Sequence, residues 1–210
     1  MVRSVFLLLL LAVQLAGCAR HEPEGIRFGV QQLPFNFDPR QATDAASERV
    51  NHLLYQGLVR FDEQRLPQPS LATWERPDPL RYRFTLTGDD HFDDGSPVTI
   101  RDVVATYESI LDPAGNSPHR STLSLIREIR AINDSTLDFL LDRSDPYFPS
   151  YLSAGILPAR LIEASHDFSS KPVGSGPFRL LAREAGRVQL ERKSDGLLLS
   201  LLLVKEPSVR

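Results

Sequence analysis

The densest group of residues that could do chemistry is an acidic cluster in the middle of the chain, formed by Asp89, Asp90, His91, Asp93 and Asp94. Carboxylates and an imidazole at this spacing could hold a metal ion or act as general acid and base. Catalysis would need two carboxylates, or a nucleophile and a base, held by rigid neighbours. Asp is also a residue that tight turns prefer for backbone reasons. The favoured interpretation is a solvated turn between two strands, with no catalytic residue and no metal site.

A second candidate is the glycine-rich stretch Gly174, Ser175, Gly176 and Pro177, which has the small residues of a phosphate-binding loop. It lacks the Lys-Ser or Lys-Thr of a P-loop and the third glycine of a dinucleotide fingerprint. Pro177 also lacks the backbone N–H that the helix N-terminus of such a loop supplies. We therefore predict a hinge-like connection between two elements and no cofactor.

The histidines do not complete a catalytic site. His52 lies on a predicted helix beside apolar Leu53, where a surface or packing role is commoner than a ligand role, and His119 and His166 fall in polar loops. No pair of nucleophile and base stands out, so we do not expect an enzyme.

The N-terminus predicts export. Arg3 precedes an apolar run from Val5 to Leu15, which is shorter than the ~20 residues needed to span a bilayer. Leu15-Ala16-Gly17-Cys18 resembles the lipobox of bacterial lipoproteins. Residues 1–17 are then a signal peptide, and residues 18–24 form a linker anchored to the membrane by lipid on Cys18. The alternative is a free Cys18 thiol after an ordinary signal.

The composition of the chain limits the classes of partner that it is expected to bind. The 210 residues carry 24 Lys and Arg against 27 Asp and Glu, a formal net charge of −3, and 41% are apolar, which indicates a folded protein. Because basic residues are scattered, nucleic acid is not an expected partner. Cys18 is the only cysteine, which excludes an intrachain disulfide and a thiolate metal cluster.

A strand, a turn and a helix position the acidic cluster. Apolar and polar residues alternate from Leu80 to Thr87, as in a strand with one buried face, and Asp94-Gly95 supplies turn chemistry. Thr99 and Asp102 form a capping box for a helix that ends before Asp112-Pro113.

The first part of the chain predicts a buried strand at Gly25–Val30 and a loop through Pro39. A helix follows, capped by Asp44, with Gly57 as its C-terminal stop. The segment 66–72 is expected to be irregular.

In the second half, the predicted elements are two hairpins, two short apolar segments and a helix. The hairpins pair 129–132 with 136–141 and 178–181 with 188–191. Segment 151–156 could be helical, 159–164 reads as a short helix, and 197–204 reads as a buried strand.

These blocks stand in a familiar order. After the lipobox come the Asp38-Pro39 loop, Leu54-Tyr55-Gln56-Gly57-Leu58-Val59, the long stretch 71–113, Pro172-Val173-Gly174-Ser175-Gly176-Pro177-Phe178-Arg179-Leu180 and Val188-Gln189-Leu190-Glu191-Arg192. This order is similar to that of the family 5 solute-binding proteins of ABC transporters, which bind peptides, dipeptides or nickel.

The resemblance implies an α/β fold: a periplasmic-binding-protein type II-like lobe with a mixed sheet, flanking helices and an inserted α+β subdomain. Residues 25–210 would be an incomplete N-terminal lobe, with the insertion at about 40–170. Family members are longer and have two lobes, so the second lobe is expected to be absent from this chain.

The resemblance also implies a function. The protein would be an extracytoplasmic lipoprotein, a monomer in the periplasm or cell envelope. It would capture a peptide or other small solute between lobes and deliver it to an ABC permease and ATPase, without a cofactor. The alternative is a transport-inactive remnant, or a sensing or structural module of the envelope.

The resemblance places six residues at the border of the ligand cleft, where their backbone could pair with an extended peptide as an added strand. These residues are Gln31, Gln32, Leu33, Tyr55, Gln56 and Gly57. One departure from the family pattern is visible: this chain has Phe92-Asp93-Asp94-Gly95 where the family usually has Phe-His-Asp-Gly.

Overall fold

The computed structural model describes residues 25–204. The predicted signal peptide, Cys18 and the linker at 18–24 lie outside these residues, and so does the end of the chain from residue 205. Within the described part, no helix has the length and apolar character needed to cross a membrane.

Ten strands and three α-helices make up the described part of the chain. The strands are β1 (Gly25–Val30), β2 (Val59–Phe61), β3 (Pro67–Pro69), β4 (Ala72–Asp78), β5 (Arg81–Leu86), β6 (Ile126–Ala131), β7 (Thr136–Leu141), β8 (Phe178–Glu184), β9 (Arg187–Arg192) and β10 (Leu198–Leu203). The helices are α1 (Ala45–Leu54), α2 (Ile100–Leu111) and α3 (Ala159–Glu163). Short 3-10 turns lie at Pro113–Gly115 and Phe148–Tyr151.

The first sheet joins both ends of the described chain in the order β1-β10-β9-β8. Strand β1 runs parallel to β10, and the other neighbours are antiparallel, so the sheet is mixed. Val188 and Leu190 of β9 are fully buried and belong to an apolar cluster with Val50 and Leu54 of α1. That contact fixes α1 against the sheet.

The second sheet, β4-β5-β7-β6, comes from the middle of the chain. Period-two alternation places Phe84, Leu137 and Phe139 on its buried face, each fully inaccessible to solvent. Phe139 makes edge contacts with Phe84 and with Tyr107 of α2, each at a centroid separation of 5.5 Å. The predicted hairpin of β6 and β7 is confirmed.

The capping box at the start of α2 is confirmed. Asp102 Oδ2 accepts from the Thr99 backbone N–H at 2.8 Å and from its hydroxyl at 2.6 Å. Asp102 Oδ1 also accepts from Ala159 N at 2.7 Å, which ties the start of α3 to the first turn of α2.

The prediction that the first strand, β1, is buried is wrong. Its register places Ile26 and Phe28 beside Leu199 and Leu201, on the apolar face of the first sheet. Their exposures are nevertheless 52% and 60%, because the apolar cluster on that face does not extend over β1. Strand β10 is likewise half-buried, although a buried strand was predicted.

Three further predictions are wrong. Segment 66–72 is not irregular: Pro67–Pro69 pairs with β2, and β4 begins at Ala72. Segment 151–156 is not helical beyond the 3-10 turn. Gly57 does not end α1, because the chain leaves the helix at Tyr55 in an extended conformation (φ −128°, ψ 153°).

Candidate functional site

A cavity of about 270 Å³ lies beside α1. Its walls are contributed by the loop before α1, by α1 and Tyr55, by the C-terminal end of α2, and by the segments 119–123 and 150–155. Several segments distant in sequence thus form one concavity, which is where small-molecule sites are usually found.

Helix α1 supplies the polar wall of the cavity. Glu48, Asn51, His52 and Tyr55 all line it, and their spacing of three and four residues places them on one face of the helix and its first following residue. The helix begins where Asp44 Oδ1 accepts from Ser47 N at 2.9 Å.

Two of these side chains are buried without a partner. Asn51 is 7% exposed and Tyr55 is 3% exposed. Neither polar atom of the Asn51 side chain, nor the Tyr55 hydroxyl, has a hydrogen-bond partner within the described residues. Buried polar groups are nearly always paired in proteins, and an unpaired one costs about 1–3 kcal/mol. The two residues that carry these groups line the cavity, which makes it the candidate site.

The Tyr55 hydroxyl remains protonated. Burial raises the pKa of Tyr55 well above its usual range, and the carboxylates of Asp38 and Asp93 raise this pKa further, while Arg40 opposes them. The hydroxyl is therefore a hydrogen-bond donor as well as an acceptor at neutral pH.

The cavity wall has an acidic charge and no basic counterpart. Glu48 lines it and is exposed, whereas no Lys or Arg of the described chain is among the lining residues. Asp38 and Arg40 lie close by and neutralise each other as an ion pair with an N–O distance of 2.7 Å. His119 Nε2 is 2.8 Å from the Ala42 carbonyl oxygen and is therefore already engaged.

The predicted hinge packs tightly against the end of α1. Gly176 N donates to Leu54 O at 2.9 Å. A Cβ atom on Gly174 would lie 1.9 Å from the same carbonyl oxygen, and one on Gly176 would lie 2.4 Å from Leu53 O. Both glycines are needed for this backbone-to-backbone contact, which holds Tyr55 in place. A hinge role for Gly174, Ser175, Gly176 and Pro177 stays a prediction.

The acidic cluster has a structural role that the sequence did not reveal. It lies between β5 and α2, not between two strands. Asp93 and Gly174 exchange hydrogen bonds, with Asp93 N donating to Gly174 O at 2.9 Å and Gly174 N donating to Asp93 Oδ2 at 3.0 Å. Asp94 pairs with Arg160 of α3. Within residues 25–204, no three His, Cys, Asp or Glu side chains gather as a metal site.

The six predicted cleft residues fall into two places. Tyr55 lines the cavity, and Gln56 and Gly57 follow it directly. Gln31, Gln32 and Leu33 are not among the lining residues that the structure describes; the first two are exposed, and Leu33 packs against the apolar cluster of the first sheet. A border position for all six stays a prediction.

The carbonyl groups of residues 56–58 already accept hydrogen bonds within the protein, whereas strand addition through the backbone of the six residues stays a prediction. Gln56 O accepts from Ile156 N at 2.9 Å, Gly57 O from Leu71 N at 3.2 Å, and Leu58 O from Ser70 N at 3.1 Å. These carbonyl groups are therefore not open to an added peptide. Asn51 was missed by sequence reasoning, although its position one helical turn before Tyr55 was a usable signal.

Comparison with known proteins supplies the family. A model described as bacterial extracellular solute-binding proteins, family 5, middle region, matches residues 67–195. The chain belongs to this family. The predicted resemblance is thereby confirmed.

Two curated relatives are similar to most of this chain. The oligopeptide-binding protein OppA of Bacillus subtilis is 23% identical over 195 residues, which cover 81% of this chain and 36% of that protein. The HTH-type transcriptional regulator SgrR of Escherichia coli is 25% identical over 169 residues, covering 76% of this chain and 28% of the regulator. The chain thus spans about a third of the length of these relatives.

Solved structures agree with this assignment. AppA of Bacillus subtilis in complex with a nonapeptide superposes with a TM-score of 0.80 at 25% identity, covering 86% of this chain and 40% of AppA. NikZ of Campylobacter jejuni in complex with Ni(L-His) gives a TM-score of 0.76 at 25% identity, covering 86% of this chain and 39% of NikZ. The fold is therefore part of a type II periplasmic-binding-protein structure, as predicted.

Proposed function

We propose that this chain is the N-terminal, solute-capturing part of an extracytoplasmic substrate-binding protein of an ABC transporter. It captures a peptide-like solute and delivers it to a membrane permease and its ATPase. The observation that carries the proposal is the α1 wall of the cavity, where the Asn51 amide and the Tyr55 hydroxyl are buried and unpaired. A solute with hydrogen-bonding groups would satisfy them.

The relatives support this solute class. The structures of AppA with a nonapeptide and NikZ with Ni(L-His) hold a peptide and an amino-acid chelate. Since this chain spans about 40% of AppA, capture between two lobes and contacts with a permease are part of the proposal. So are the monomeric state, the location at the periplasmic side of the cell envelope and the lipid anchor on Cys18.

Binding is tested by native mass spectrometry with an unblocked tripeptide library and with nickel plus L-histidine. Ala154 lines the cavity, so Ala154→Trp should fill it and abolish binding. Ala114 lies on an exposed 3-10 turn, and Ala114→Trp should bind as the wild type does. If wild-type protein retains none of these solutes, the proposal is wrong.

The lipid anchor is tested separately. Globomycin blocks lipoprotein signal peptidase, so treated cells should accumulate a larger precursor of this protein. Cys18→Ser should also prevent processing. A mature-sized, soluble Cys18→Ser product would mean that the alternative, an ordinary signal peptide, is correct.

A sensing module is the second candidate, favoured by the similarity to SgrR, a transcriptional regulator. The two candidates differ in uptake. A strain lacking the gene should lose uptake of the bound solute if the protein serves transport. Undiminished uptake, with solute binding intact in the purified protein, would favour sensing.

A further inference from the structure

We propose that Asn51 recognises the backbone N–H and C=O groups of one residue of a peptide solute through both ends of its side-chain amide and thereby determines specificity. This inference rests on the proposed function of the same cavity. Asn51 meets the requirements of a recognition residue: it lines the cavity, it is 7% exposed, and neither Nδ2 nor Oδ1 has a partner in the described chain.

Two other polar residues of the wall are already engaged. The Ser150 hydroxyl donates to Tyr147 O at 2.6 Å, and His119 Nε2 lies 2.8 Å from Ala42 O. Asn51 differs because its donor and its acceptor are both unsatisfied. Helix α1 also fixes its backbone, since Asn51 O accepts from Tyr55 N at 2.8 Å.

The donor and acceptor of Asn51 select the chemistry of the ligand. A side-chain amide presents N–H and C=O groups side by side. A carboxylate offers only acceptors and would leave Oδ1 unpaired, whereas an ammonium group offers only donors and would leave Nδ2 unpaired. One residue of an extended peptide presents its own N–H and C=O on the same side of the chain and satisfies both atoms. A site built this way discriminates strongly against analogues that lack one group.

Tyr55 extends this recognition surface. It also lines the cavity, its hydroxyl is unpaired, and it stays protonated. Tyr55 follows Asn51 at the spacing of one helical turn, so a ligand held by Asn51 has a second polar group within the same wall. Two residues of the wall can therefore form hydrogen bonds with a peptide ligand.

The test uses trialanine and its two depsipeptide analogues, in which one amide N–H is replaced by an ester oxygen. With wild-type protein, at least one analogue should bind about tenfold more weakly, because it leaves Asn51 Oδ1 without a donor. Asn51→Ala should bind trialanine about tenfold more weakly than the wild type does. It should also lose most of the difference in affinity between trialanine and the weaker-binding analogue. Asn133→Ala alters an exposed asparagine outside this cavity and should keep the difference between trialanine and its analogue.

The outcomes separate the two proposals. If trialanine does not bind to wild-type protein, the peptide assignment fails together with this inference. If trialanine binds and Asn51→Ala retains the full penalty for each depsipeptide, the proposed function stands and the role of Asn51 is refuted. Equal trialanine affinity in wild type and Asn51→Ala, with both proteins folded, would mean that water satisfies Asn51.

Discussion

The ammonium nitrogen of Lys193 lies 2.6 Å from Asp93 Oδ1, and this ion pair links the segments that follow strands of the two four-stranded sheets. Asp93 follows β5 of the second sheet, and Lys193 directly follows β9 of the first. Between them lies Gly174, whose N–H donates to the second oxygen of the same carboxylate at 3.0 Å. The pair therefore positions the connection that packs against the end of α1.

Asp93 and Lys193 should be energetically coupled. Their side chains are 16% and 30% exposed, so solvent screens them less than a surface pair. A double-mutant cycle with Asp93→Asn and Lys193→Met should give a coupling free energy of about 1–2 kcal/mol in urea unfolding. Arg101 and Glu163 also approach to 2.6 Å, but they are 70% and 57% exposed. Their cycle should give less than about 0.5 kcal/mol, and equal values for both pairs would contradict this prediction.

Gly174→Ala should destabilise the fold strongly. The new methyl group would lie 1.9 Å from Leu54 O, and both partners are backbone groups that cannot rotate away. Overpacking of this kind costs about 1–3 kcal/mol or more. Gly88→Ala is the matched control, since its Cβ would meet only the Asp90 side chain at 3.4 Å. The free energy of unfolding from urea titration distinguishes them; a Gly174→Ala protein as stable as Gly88→Ala would refute the close contact.

Much of the second sheet could be predicted from local sequence. Alternating apolar residues in β5 and β7, and the Thr99–Asp102 capping box, act over a few residues, so their signals are readable. Strand β4 was missed because its sequence, ATWERPD, is charged and contains Pro77. It is an edge strand with one neighbour, β5, and that position tolerates such residues.

The cavity was only partly predictable, because its walls come from segments that meet only in the folded chain. Tyr55 was identified through its family motif, and Asn51 was not. The role of Asp93 depends on Lys193 and Gly174, which lie far along the sequence. The sequence next to Asp93 therefore predicts only a turn.

Asp44 should make the stability of the protein depend on pH. Burial alone would raise its pKa, but hydrogen bonds from Ser47 and neighbouring backbone groups outweigh burial and lower this pKa from 3.8. A carboxylate with a depressed folded pKa stabilises the fold above its unfolded pKa and loses that effect as pH falls through the folded value. The contribution of Asp44 should therefore be complete at neutral pH and decline below 3.8.

Comparison with Asp44→Asn isolates this effect, because Asn also caps helices but does not titrate. The melting temperature of the wild type relative to Asp44→Asn should fall between neutral pH and about pH 3. Asp44→Ala should cost about 1 kcal/mol at neutral pH through loss of the cap. A constant difference between wild type and Asp44→Asn over this range would contradict the lowered pKa.

Asn51→Leu should stabilise the free protein while impairing recognition. The wild type buries an amide whose two polar atoms lack protein partners, and each unpaired group costs about 1–3 kcal/mol when water does not satisfy it. Leucine has a similar size, and the cavity beside α1 gives it room. The free energy of unfolding should therefore rise by about 1 kcal/mol or more in urea titration.

Asn51→Asp is the opposing control, because a carboxylate would bury a charge at the same place and should lower stability. If Asn51→Leu is less stable than the wild type, the polar atoms of Asn51 are already hydrogen-bonded in the free protein and are not available to a ligand.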